Sequence, residues 1–259
     1  MNNLYKANIK RITTNPVFIG GCIIAFLVTY IFATNIIGLK GSLEKIGPEG
    51  RMYFVNIAIM AFFTIFVPLF TNMEFRYGVI RNKLVAGYSQ KQVYLSQILG
   101  HFTALVIMVA VYFLAGILGG ARDMGKLFIP CVVYFLSVCG YIALMMLISF
   151  RITKMVIISI MAFLVLNLNY TGIMFGNFLI SFVLKGFANK IAIIIYNLSP
   201  FGQWLTWFMK LIFSPEGKPT ISPEDYASPG TPVQMLISVG VILVMMLLGT
   251  AGINKRNLK

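Results

Sequence analysis

Acidic residues are scarce in this chain. Seven Asp and Glu stand against 21 Lys and Arg in 259 residues, and charged residues of both signs make up only 11%. An ordinary soluble domain carries about 25%, so there is too little polar surface here to clothe a soluble fold. None of the seven acids falls within a long apolar run. That weighs against a carrier driven by protons through buried carboxylates. An intramembrane enzyme is disfavoured too, because the apolar runs hold no acid pair, metal cluster or nucleophile–base set. Histidine occurs once, as His101, and reads as a hydrogen-bonded group near the interface. Cysteine occurs three times, as Cys22, Cys131 and Cys139. Their odd number and their spacing fit neither a disulfide framework nor a metal motif. They read as small apolar packing residues.

What is present is apolar. Hydrophobic residues make up 59% of the chain, and the mean hydropathy is +0.87. Such a composition excludes disorder. At roughly 20 apolar residues per crossing, the length admits about six membrane-spanning helices. The runs place them at 17–38, 53–72, 97–119, 128–150, 155–176 and 232–253. The expectation is an all-α integral membrane protein forming one transmembrane domain over 1–259. The first run is too long for a signal-peptide core. Residues 1–16 precede it as a short surface helix, with Leu4, Tyr5, Ile9 and Ile12 on one face and Asn8 interrupting that face. Asn15-Pro16 ends this helix. Residues 177–231 are apolar in part but broken at Ser199-Pro200-Phe201-Gly202. They are expected as an outer segment with outer-leaflet or re-entrant helices. Thr231 and Pro232 open the last span, where proline is favoured.

Charge gives the topology. Segments 1–16, 73–96, 151–154 and 254–259 carry a net +11 over 50 residues. Segments 39–52, 120–127 and 177–231 carry +3 over 77. The basic segments belong inside by the positive-inside rule, so both termini are expected in the cytoplasm. Basic residues confined to short segments between apolar runs are no groove for nucleic acid, and none is expected as a partner.

The most specified polar segment is 73–96. Gly87 is a natural helix stop, and Ser89 followed by Gln92 matches a capping box. A short basic helix near 79–86 is expected between the second and third spans. Glu74, Gly78-Val79-Ile80-Arg81-Asn82-Lys83-Leu84, Gly87, Ser89 and Val93-Tyr94-Leu95-Ser96 together resemble the loop between spans two and three of permease subunits of type-2 ABC exporters. The small bacterial permeases for drugs and antimicrobial peptides are the nearest in style. Leu198-Ser199-Pro200-Phe201-Gly202-Gln203, the basic N-terminal helix and the six-span count are similar too. The resemblance implies a permease in the bacterial cytoplasmic membrane, paired with a second copy or a paralogue. ATP and magnesium would be held by a separate ATPase subunit, with no cofactor on this chain. The short helix would be a coupling helix, with Arg81, Asn82, Lys83 and Leu84 at the ATPase. Glu74 would brace it through Arg76 or a neighbouring base, and Gly87 and Ser89 would shape the turn. The simpler reading is a solvated basic loop that only sets topology.

Gly120 to Lys126 begins like a phosphate-binding loop but fails at Leu127, where Ser or Thr must hold magnesium. The chain has no other nucleotide motif and is not read as an enzyme. In the resembled family spans two and five face a central cavity, which makes Asn56, Phe62, Phe63, Phe66, Asn167, Tyr170 and Phe175 candidates for a substrate path. Ordinary helix packing is the competing account of each. Two other functions stay open: a secondary carrier or channel, and a non-transporting immunity or scaffold protein.

Overall fold

The computed structural model describes residues 1–38, 47–152, 154–213 and 229–253. Among them all regular structure is helical. The helices are α1 (Asn2–Thr13), α2 (Pro16–Thr34), α3 (Pro48–Arg76), α4 (Val79–Val85), α5 (Gln90–Leu118), α6 (Met124–Arg151), α7 (Met155–Phe178), α8 (Gly186–Asn197), α9 (Pro200–Phe213) and α10 (Thr231–Ile253). A π-helical turn, Leu179–Val183, continues α7. Among the described residues six stretches are long and apolar enough to cross a membrane: α2, α3, α5, Leu127–Arg151 of α6, Met155–Val183, and Thr231–Ala251 of α10. The chain is therefore an all-helical, multi-pass membrane protein. Within the expected polar segments, residues 39–46, Thr153, 214–228 and the basic tail 254–259 lie outside the described residues.

Helix ends follow caps more closely than hydropathy. Pro48 opens α3 ahead of the apolar run, at the first helical position where its missing N–H costs nothing. At the start of α5 both halves of the capping box form. Ser89 Oγ accepts from the Gln92 amide at 3.2 Å, and Gln92 Oε1 accepts from the Ser89 amide at 2.9 Å. So α5 begins seven residues before its apolar run. Arg51, expected in a loop, lies in the first turns of α3 instead. Its guanidinium donates to the Phe32 and Ala33 carbonyls at 3.0 and 2.9 Å, satisfying carbonyls at the end of α2. Glu49 Oε1 accepts from the amides of Arg122 and Asp123, both at 3.0 Å, ahead of α6. The start of α3 thus fastens the ends of two neighbours. Pro68 lies inside the same helix, where it removes one backbone hydrogen bond.

The centre of the bundle is α3 against α6. In each, 61% of the apolar stretch is buried, against 22% in α2 and 17% in α10. Around this pair, α2 packs on α3 and α5, α7 on α3, and α10 on α6. Close approach has local causes. A Cβ at Gly249 of α10 would fall on the Tyr94 hydroxyl of α5, and one at Gly140 of α6 would meet Val241 at 2.9 Å. The peripheral helices turn large apolar side chains outward, among them Ile24, Phe163, Leu168, Leu236 and Leu247. An apolar exterior this extensive suits lipid rather than water. Helices α8 and α9 hold 12 and 14 residues. At 1.5 Å per residue each is about 20 Å long or less, too short to cross a bilayer core. The expected break before α9 is a corner capped by Ser199 Oγ, which accepts from the amides of Phe201 and Gly202 at 3.1 and 3.3 Å.

Candidate functional site

The segment after α3 folds into a short bracketed helix. Gly78 takes φ +70° ahead of α4, and Gly87 takes φ +88° after it, a region where a side chain would be strained. The Gly87 amide bonds to the Leu84 carbonyl at 3.0 Å, and the Tyr88 amide to the Lys83 carbonyl at 3.3 Å. This pair is a Schellman closure. Ser89 then caps α5. Both ends of α4 are therefore fixed by local chemistry.

A polar knot fixes the helix to its neighbours. The Lys83 ammonium of α4 donates to Glu74 Oε2 of α3 at 2.8 Å and to Asn8 Oδ1 of α1 at 2.7 Å. Gln97 of α5 also donates to Glu74 Oε2. Arg11 of α1 pairs with Glu74 Oε1 at 3.0 Å. Asn8 Nδ2 donates to Ser96 Oγ at 3.0 Å, and that hydroxyl donates to the Val93 carbonyl at 2.9 Å. Four helices meet here through one acid and two bases. The Glu74 side chain is 2% exposed and that of Lys83 10%, whereas Arg11 keeps 39%. Burial pulls the Lys83 ammonium below its ordinary range, and the Glu74 carboxylate beside it pushes back.

The expected site residues separate into two sets. Glu74 is braced by Lys83 and Arg11 rather than by Arg76, which points to solvent. Lys83 and Leu84 turn inward, Lys83 to the knot and Leu84 to the core. Arg81, Asn82 and Val85 face outward, Val85 at 80% exposure. Asn8 and Arg11 are the functional candidates that sequence reasoning missed. Asn8 is buried between Leu4 and Ile12 on the stripe that α1 lays against α5. A lone amide on a buried stripe is a signal, because such a group needs a partner. The N-terminal helix is accordingly docked on the bundle, with Tyr5 Oη and Thr103 Oγ1 also 2.8 Å apart.

No protein-family model matches the chain, and no curated protein does.

His101 departs from expectation. It is fully buried, its ring lies edge-on to Phe66 and Phe70, with centroids 5.9 and 5.6 Å away. Neither ring nitrogen has a hydrogen-bond partner among the described residues. Because α5 starts at Gln90, His101 sits three turns inside the helix and packs as an aromatic. The pathway candidates do not converge within the chain. Phe62, Phe63 and Phe66 form one cluster with Phe18, and Phe62 lines an apolar cavity of about 370 Å³ between α2, α3 and α5. Asn56 is fully buried against α6, its Nδ2 3.7 Å from Cys131 Sγ. Asn167, Tyr170 and Phe175 lie on the exposed face of α7, and Asn167 Nδ2 bonds within its own helix to the Phe163 carbonyl at 2.9 Å.

A second polar cluster sits at the other end of α3. Gln203 Nε2 donates to the Asn197 carbonyl at 2.7 Å and to Ser238 Oγ at 3.0 Å. Gln234 Nε2 donates to Asn197 Oδ1 at 2.8 Å, and its Oε1 accepts from Trp207 Nε1 at 3.1 Å. These amides fix α8, α9 and α10 together. Trp204 Nε1 anchors α9 to the Tyr53 carbonyl of α3 at 3.2 Å.

Proposed function

We propose that the chain is the membrane-spanning, passive subunit of an ATP-driven exporter of the type-2 ABC class, with α4 as the coupling helix on the cytoplasmic side. The observation that carries this reading is the knot. A seven-residue helix is held on both flanks by turn chemistry and tied through Lys83 to α1 and α3, which is the build of a rigid handle. A loop that only sets topology needs none of those bonds. In this reading Arg81, Asn82 and Val85 meet a separate ATPase subunit that holds ATP and magnesium. Lys83 and Glu74 pass the displacement to the spans, and Gly87 and Ser89 keep the corner stiff. The substrate is an apolar or amphipathic molecule such as an antimicrobial peptide, a drug or a lipid-like compound. It moves by alternating access between this chain and a second copy or paralogue. Both termini then lie in the cytoplasm of a bacterial cell.

The test uses the outward face alone. The full chain is purified from its native membrane with its partners retained, and Arg81→Glu together with Asn82→Asp is compared with wild type. An ATP-hydrolysing subunit is expected to co-purify with wild type and to be lost from the double variant, with export lost in parallel and thermal stability kept. Association and export that survive the double variant would remove α4 from the coupling role.

A further inference from the structure

Helix α7 packs on α3 along one side, and α8 folds back beside it on another. The connection between α7 and α8 is irregular. The π-helical turn Leu179–Val183 ends α7, Leu184 is extended, and Gly186 takes φ +61° where α8 starts. Between the two helices lies a cavity of about 350 Å³. Its walls include Leu168, Gly172 and Gly176 of α7, Ile180 of the π-helical turn, and Ala192 and Ile195 of α8. The glycines keep it open. A Cβ at Gly172 would meet nothing within 4 Å, and one at Gly176 would meet only the Tyr196 ring, at 3.5 Å. Leu168, Gly172 and Ile195 are exposed, so the cavity opens on the apolar exterior of the bundle.

The inner wall offers an occupant no free polar group. Asn169 and Ser199 reach it, but Ser199 Oγ donates to Asn169 Oδ1, and Asn169 Nδ2 is turned to Met60 Sδ at 3.6 Å. What enters is therefore apolar. The mouth is different. Ala192, Ile195 and Tyr196 form one stripe of α8, three and four residues apart. Asn189 continues that stripe towards the start of the helix. Lys185 stands at its foot, next in the chain to Leu184 of the cavity wall, while Lys190 falls on the opposite side of the helix. Asn189 Oδ1 is buried with no hydrogen-bond partner among the described residues. Lys185 is exposed, and no carboxylate pairs with it among the described residues. An apolar slot thus ends in one cation and one free acceptor. Its complement is an apolar tail joined to a negatively charged head that carries a hydrogen-bond donor. Ligand cavities range over roughly 300–1,000 Å³, and this one lies at the small end, with room for a single hydrocarbon chain. We infer that the cavity between α7 and α8 holds one acyl chain of an anionic glycerophospholipid, with the phosphate against Lys185 and Asn189 beside the polar head.

Photolabelling of the full chain in phosphatidylcholine nanodiscs tests this. A minor share of the lipid carries a diazirine on one acyl chain, as phosphatidylglycerol in one sample and as phosphatidylcholine in the other, and the labelled residues are mapped by mass spectrometry. Leu236, exposed on α10, reports ordinary lipid contact. The ratio of phosphatidylglycerol to phosphatidylcholine labelling is expected to be several-fold higher at the cavity walls than at Leu236. Lys185→Gln, a change at an exposed side chain, should bring that ratio down to the Leu236 value. Gly172→Leu, which fills the open space, should lower cavity labelling by both lipids several-fold and leave Leu236 unchanged. Equal labelling by the two lipids at the cavity would make it ordinary lipid-facing surface. Absence of label from both would mean that a second copy of the chain or another molecule fills it. A ratio untouched by Lys185→Gln would remove the phosphate from that lysine. Each of these three results overturns the inference.

Discussion

The two polar clusters at the ends of α3 use different chemistry. Around Glu74 one carboxylate gathers two bases, and a single ammonium serves α1, α3 and α4 at once. Around Gln203 only neutral amides, hydroxyls and an indole take part, each bond linking two groups. A neutral network loses only its own bonds when one member is removed. A charged knot loses a counter-ion as well as its bonds, and the carboxylate that remains is buried. The neutral arrangement tolerates change, and the charged one makes the geometry of α4 all-or-none.

Substitutions can break this contrast. The largest effect is expected from Lys83→Met, which leaves Glu74 buried and short of its nearer base; breaking a buried pair costs about 3–5 kcal/mol. Thermal unfolding of the purified protein should show the loss, and adding Glu74→Met should restore most of it. A double variant no more stable than Lys83→Met would show that the pair does not act as a unit. Gln203→Leu should cost less, about 1–3 kcal/mol, since it strands neutral partners only. If it equals Lys83→Met in the same assay, charge is not what separates the clusters. Arg11→Gln should cost least, about 0–1 kcal/mol, because an ion pair with one exposed partner is screened. A large drop in Tm for that variant would place the weight of the knot on Arg11.

The sequence made some of this legible. Apolar runs located all six crossing helices found among the described residues, and Gly87 and the Ser89–Gln92 pair located α4, since caps are local chemistry. Helix lengths were less legible, because α3 and α5 continue through polar residues until a cap stops them. The bracing of Glu74 was half legible. Arg76 is two residues away and so lies on another side of the helix, whereas Lys83 and Arg11 arrive through the fold. Asn8 looked like a flaw in an apolar face; only the position of Ser96 and Lys83 makes it a hinge-pin. Arg51 read as loop charge because its partners, the last carbonyls of α2, are backbone atoms without a sequence signature. The burial of His101 followed from where α5 begins, which hydropathy alone set too late.

Pro68 gives α3 a mechanical character of its own. The helix is clamped near Glu49 and Arg51 at one extremity and near Glu74 at the other, and the missing rung lies only six residues short of the second clamp. A strut restrained at both extremities yields where it is notched. Load applied at α4 would flex the final turns beyond Pro68 and leave the greater length of α3, and α6 beside it, as the stationary frame.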